Sequence, residues 1–167
     1  MIALKLPATL VAAVRADLQR PHPFACERVG FIKAKQGALP NGGVVLLGYD
    51  HLVVPDNAYE KDDTVGARIA AAGFMPARQA AFSYRLSIVH VHLHDHVGRP
   101  GPSITDRRET SAFMPDFVSV ARSVPHAALI LSRDSGHATA WFGSQVLPVS
   151  PISIVGMPMR KMVAHAR

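Results

Sequence analysis

Four histidines stand at alternate positions, His90, His92, His94 and His96, where an apolar run that begins at Leu86 comes to its end. Alternation of polar and apolar residues is the pattern of a half-buried strand, and side chains on a strand return to one face at every second residue. Neighbouring imidazoles of the series therefore stand close enough to meet one metal ion, whose Zn–N bonds are about 2.0–2.1 Å. The Gly- and Pro-rich stretch after them, Val97-Gly-Arg-Pro-Gly-Pro102, must turn the chain. It delivers Ser103-Ile-Thr-Asp106 to the start of a predicted helix, so that a carboxylate comes back towards the histidines. Two His and one Asp leave a tetrahedral ion with a place for water. That is the make-up of catalytic zinc sites, whereas structural sites fill all their places with protein, usually cysteine. Cys26 is the chain's one cysteine.

The elements that must position these residues follow from the rest of the pattern. Leu10, Val14 and Leu18 recur at helical spacing behind Pro7, which a first turn tolerates, so the N-terminal stretch reads as an amphipathic helix of the mature protein rather than as a leader. Pro21 and Pro23 end it. A strand is predicted over residues 27–35, and a second over residues 44–49 beyond the turn chemistry of Gln36 to Gly43, which makes an antiparallel hairpin. Residues 61–72 read as a helix with Val65, Ile69 and Ala72 on its apolar face, Asp62 and Asp63 near its positive end and Gly73 at its close. The histidine strand is entered from Phe82. A helix from Ser103 to about residue 112 is followed, beyond Pro115, by a short one over 116–122. Residues 127–132 and 137–142 form strands around the tight-turn sequence Arg133-Asp-Ser-Gly136. Pro148 and Pro151 place residues 146–155 at a sheet edge or outside the sheet.

This order of elements predicts one α/β domain, a mixed, mostly antiparallel sheet with helices packed on its faces, over residues 1–156, with a loose basic tail over 157–167 carrying Arg160, Lys161 and Arg167. A chain of 167 residues, 49% apolar, suffices for one substantial core. No apolar run approaches the ~20 residues of a membrane span. A single cysteine excludes an internal disulfide framework and points to a reducing, cytoplasmic setting. The formal charge of +6 and pI of about 10.0 suit an acidic partner or nucleic acid without selecting either.

An HxH pair followed by SxxD resembles the zinc signature of the JAMM metalloproteases, also called JAB or MPN+ domains. Glu27-Arg-Val-Gly30 resembles the upstream E-x-x-G of that family, and Asp50 to Asn57 its second long strand. The likeness runs from about Glu27 to Trp141. It implies a JAB/MPN, cytidine-deaminase-like fold in a small prokaryotic-type member. It also implies one Zn²⁺ per chain on His92, His94 and Asp106, Glu27 as the base that takes a proton from zinc-bound water, and Ser103 as an oxyanion donor. The family commonly places ten residues between the second His and the Asp. Here eleven separate His94 from Asp106 and nine separate His96 from it, so the pair His94/His96 stands as the other register. The implied activity is isopeptide or peptide cleavage after the C-terminus of a ubiquitin-like protein, whose extended tail would lie along a strand edge. The alternatives are a non-peptidase hydrolase of the same fold, a factor of DNA metabolism, or a catalytically silent scaffold.

Plainer readings exist for each residue. Ser103-x-x-Asp106 is also a helix-capping pattern, and Glu27 alone would be a surface residue of a strand. Cys26 reads as a small buried hydrophobe on the face opposite Glu27. Trp141 and His137 read as packing residues, and His51 and His126 carry no assignment.

Overall fold

The structure, a computed structural model, describes residues 1–40, 42–156 and 160–162, the last three by their backbone alone. In chain order the elements are β1 (Ile2–Pro7), α1 (Ala8–Leu18), β2 (Val29–Ala38), β3 (Val44–Val53), a 3-10 turn (Asp56–Ala58), β4 (Tyr59–Glu60), β5 (Arg68–Ile69), α2 (Ala71–Tyr84), β6 (Ser87–Leu93), α3 (Ile104–Val120), β7 (His126–Leu131), β8 (Gly136–Phe142), β9 (Gln145–Val155) and β10 (Arg160–Met162).

The sheet runs in the order β1-β3-β2-β6-β7-β8-β9, and β1 also pairs with β9, so seven strands close into a barrel; β10 adds outside it, on β9. β1 lies parallel to β3 and to β9, and β6 lies parallel to β7, while the other barrel pairs are antiparallel. Period-two alternation sorts the apolar side chains onto the two faces of this wall. Leu4, Leu6, Ile32, Leu46, Val89, Val91, Leu129, Leu131 and Ile152 join Leu10, Val11, Val14 and Leu18 of α1 in one cluster, so the helix fills the barrel with side chains. On the other face, Phe31, Ile88 and Ala128 pack beneath Ala77, Ala80 and Ala81 of α2 and Met114 and Phe117 of α3. Each fully buried Val, Leu, Ile, Phe or Met among these contributes about 1.5–3 kcal/mol. Every residue of β6 from Ser87 to His92 is buried, because the strand has a core on both sides.

The expected JAB/MPN, deaminase-like fold is overturned at this level. The sheet is mixed and flanked by helices, but it closes on itself where that fold leaves it open. Closure depends on β1, a strand the helical reading of the N-terminus passed over, and on β9. The two prolines of β9 do not keep it out of the sheet. Pro151 falls where the register against β1 slips, between Ile2↔Val149 and Leu4↔Ile152, and such an irregularity is where a proline without an N–H is tolerated.

Other differences are local. Residues 61–72 do not form a helix: Asp62 accepts from both the N–H and the hydroxyl of Thr64 and pairs with Arg68, a turn held by the side chain. The helix starts instead at Ala71, where Ala-rich sequence takes over, and Gly73 lies inside it, against Val54, Ala58 and Ile69. It extends to Tyr84, beyond the predicted entry into the histidine strand. α3 is continuous through Pro115, the burial of Met114 and Phe117 on the turns around it offsetting a missing hydrogen bond. The β2–β3 and β7–β8 hairpins agree with expectation. Of the basic tail, Arg160 and Lys161 fall in β10, and Arg167 lies outside the described residues.

His126 is wholly buried under Phe117, and its Nδ1 accepts the Ile88 N–H at 3.1 Å, which keeps it neutral; burial pushes its pKa down to about 4. A histidine depressed in the folded state favours unfolding as the unfolded chain takes up the proton. The fold is therefore fully stable above pH ~6.5 and loses up to roughly 3 kcal/mol from this residue as pH falls towards 4. Urea melts between pH 7 and 4 should show that slope together with the like contributions of His90 and His92, and His126→Gln should reduce it by about one residue's share.

Candidate metal centre

β6 presents His90 and His92 on the helix side of the barrel wall, with Val89 and Val91 facing the barrel core. His94 lies one residue past the strand, but its N–H still donates to the Leu131 carbonyl at 2.8 Å, so its backbone follows β7. The loop that follows is tied to the β7–β8 turn. Arg133 makes a paired contact with Asp95 at 2.7 and 3.0 Å, the Gly98 N–H donates to Asp134 at 2.7 Å, and the Ser132 hydroxyl donates to the Gly98 carbonyl at 2.6 Å.

The loop ends in a capping box. The Asp106 N–H donates to the Ser103 hydroxyl oxygen at 3.0 Å, and the Ser103 N–H donates to the Asp106 carboxylate at 2.7 Å. This satisfies the first turn of α3 and, by the same bond, sets the orientation of the carboxylate. Asp106 then faces both imidazoles. Its Oδ1 is 3.4 Å from His92 Nε2, its Oδ2 is 3.5 Å from His94 Nε2, and the two Nε2 atoms are 3.2 Å apart. These three residues form a group that could coordinate a metal ion. His96 stands outside this group, exposed, with Nδ1 against the Val97 carbonyl.

Tetrahedral geometry tests the fit. Ligand bonds of about 2.0–2.1 Å at tetrahedral angles put donor atoms roughly 3.3–3.4 Å apart. The two Nε2 atoms, 3.2 Å apart, lie close to that spacing, and each faces a different Asp106 oxygen, at 3.4 Å from His92 and 3.5 Å from His94. Electrostatics agrees with it. Burial drives His92 down to about 4, against the pull of the Asp106 carboxylate, so its nitrogen lone pair is free at neutral pH. Burial acts to raise Asp106, but hydrogen bonding from Ser103 and the two histidines outweigh it, and the carboxyl sits below its ordinary range. His90, next along the strand, is pushed to about 3 by burial; its Nδ1 has no hydrogen-bond partner among the described residues and its ring packs on Phe31 and Phe113.

Glu27 is not on a strand. It lies two residues before β2, and two anchors hold its segment. The buried Arg28 guanidinium donates to the Arg20 and Pro21 carbonyls and to Asp56 at 2.7–2.8 Å, and the Glu27 N–H donates to the Gly66 carbonyl at 2.9 Å. A Cβ on Gly66 would come within 2.8 Å of the Glu27 carboxyl carbon, so only glycine lets that side chain lie there. Glu27 shares a cleft of about 410 Å³ with His90, His92 and Asp106. Burial raises its pKa, His94 opposes the rise and Asp106 adds to it. Cys26 is exposed beside it, and the strand alternation that would have buried it is absent.

A second cleft, of about 250 Å³, lies beyond the His92–Asp106 wall and is lined by Trp141, His137, Ile130, Val146 and Pro102. Trp141 packs against the cluster of Phe31 and Phe117, as expected, and also faces this cleft. His51 is buried with Nε2 3.6 Å from Asp17, away from this site.

No protein-family model matches the chain, and no curated protein matches it. Among solved structures, the Trichoplax adhaerens STIL N-terminal domain is similar at 9% identity with a TM-score of 0.44 over 92% of this chain, which spans 48% of that structure's length. The likeness to JAMM metalloproteases is therefore confined to the motif residues. Closure of the barrel and the absence of any family match overturn that membership and, with it, the isopeptidase activity on ubiquitin-like proteins and the alternatives tied to the same fold. No helix among the described residues is long and apolar enough to cross a membrane.

Proposed function

We propose that the protein binds one divalent transition metal ion, Zn²⁺ by the character of its donors, through His92, His94 and Asp106, and that the centre serves to activate water beside Glu27. The observation that carries this reading is the convergence of His92, His94 and Asp106, each offering a ligand atom within 4.8 Å of the other two. Two imidazoles and a carboxylate suit Zn²⁺, and three protein donors leave a coordination place open. An ion held there would supply a Lewis acid and lower the pKa of a water molecule. Glu27, raised by burial and lining the same cleft as His92 and Asp106, would accept that proton. Ser103 contributes by holding Asp106, and its hydroxyl hydrogen, not used in the capping box, is the candidate donor to an oxyanion.

Titration with Zn²⁺ or Co²⁺ is the test. One ion per chain is expected, and an ion concentration 100-fold above Kd should stabilise the fold by about 2.7 kcal/mol, raising Tm by roughly 5–10 °C. Affinity should fall on acidification, as protons compete for the histidines. Glu27→Gln should leave Co²⁺ binding within a few-fold of wild type while shifting the pH at which the Co²⁺ absorption spectrum changes. Calorimetry that detects no binding at micromolar ion would remove the reading.

A further inference from the structure

The two clefts beside the candidate centre differ in chemistry. The larger carries Glu27 together with Asp62, Arg68, Arg108 and Glu109, whereas the smaller is walled mainly by Trp141, Ile130, Val146 and Pro102, with Arg107 and the shared Asp106 as its charged side chains. His92, Asp106 and Thr110 line both, so the cluster stands on the ridge between a charged hollow and an apolar one. An apolar cavity of roughly 150 Å³ accepts benzene. The smaller cleft, at about 250 Å³, has room for an aromatic ring with a short linker. Trp141 offers an indole for ring packing. His137 lines the same wall, its pKa lowered by burial and by Arg99.

We infer that the cleft lined by Trp141, Ile130 and Val146 is a specificity site for an aryl group of a small ligand whose oxygen donor reaches the His92–His94–Asp106 cluster. This rests on the metal-binding reading above. The ligand class is a small carbonyl compound with the aryl group a few bonds from the carbonyl, its polar remainder lying in the charged cleft with Glu27. Burying a ring of this size contributes enough for an advantage of about tenfold or more over a methyl group.

The probes are acetohydroxamate and 3-phenylpropionohydroxamate, titrated into the Co²⁺-loaded full chain and read by Co²⁺ absorption and by the fluorescence of Trp141, the sole tryptophan. The aryl probe should bind at least about tenfold tighter and alter Trp141 emission, which the acetyl probe should leave almost unchanged. Val146 is 59% exposed, so Val146→Glu charges the cleft without disturbing the core. It should abolish the aryl advantage with Co²⁺ affinity retained, and Trp141→Ala should do the same. Equal affinities of the two probes, or an aryl advantage that survives both substitutions, would overturn the inference and leave the metal centre standing. A chain that takes up no Co²⁺ would bring down both.

Discussion

His92→Ala is expected to weaken Zn²⁺ or Co²⁺ binding roughly a hundredfold or more, since each of three donors carries a large share of the affinity of such a site. The apo protein should still fold, because His92, although only 4% exposed, lines both clefts and its truncation leaves the two apolar clusters intact. Asp106→Asn is the sharper variant. An Asn side-chain oxygen can still accept the Ser103 N–H, so the start of α3 is preserved while the charge facing both imidazoles is lost. A comparable loss of affinity in Asp106→Asn, with Tm of the apo form nearly unchanged, would separate the metal role from the capping role. Ser103→Ala should behave in the opposite sense, lowering apo stability by about 1 kcal/mol and affinity only modestly. Competition against a chromophoric chelator measures all three, and unchanged affinity in both His92→Ala and Asp106→Asn would dispose of the centre.

Phe117→Ala should be the most damaging of the simple truncations on the helix side of the sheet. Its ring is 1% exposed and lies 5.9 Å from Phe31, 6.4 Å from Phe113, 6.5 Å from Phe74 and 5.7 Å from His126, centroid to centroid. Removing it vacates a ring-sized volume between α3, α2 and β2, a loss of about 3–5 kcal/mol. For a domain of this size that corresponds to a fall in Tm on the order of 10 °C. α3 also carries Asp106, so metal affinity should decline together with stability. Ile104, on the same helix but 81% exposed, is the control: Ile104→Ala should change stability by no more than about 0.5 kcal/mol. Thermal melts with and without Zn²⁺ distinguish the two effects.

What could be read from the chain were features written in near neighbours. The alternation through His90, His92 and His94, the Ser103 start of α3 and the turn chemistry of the two hairpins are all local, and each appears in the structure. The barrel was not legible. It closes through Ile2–Pro7 pairing with β9 near the other end of the chain, and a six-residue strand that runs straight into a helix has too little periodicity to announce itself. The misplaced α2 has a similar origin, since Asp62 and Asp63 imitate a helix start where Thr64 and Arg68 in fact complete a turn. Glu27 came to attention through a family pattern that the fold does not support. Its nearness to Asp106 depends on Arg28 and Gly66, whose contacts span distant segments and leave no periodic trace.

β6 is flanked on one side by β2 and on the other by β7. From Val89 to His92 the histidine strand is paired on both edges, so a guest cannot be zipped onto that stretch as an extra ribbon. Whatever reaches His92 must be gripped by side chains alone, a mode that rewards the outline and polarity of a discrete chemical group over the reach of an extended polypeptide.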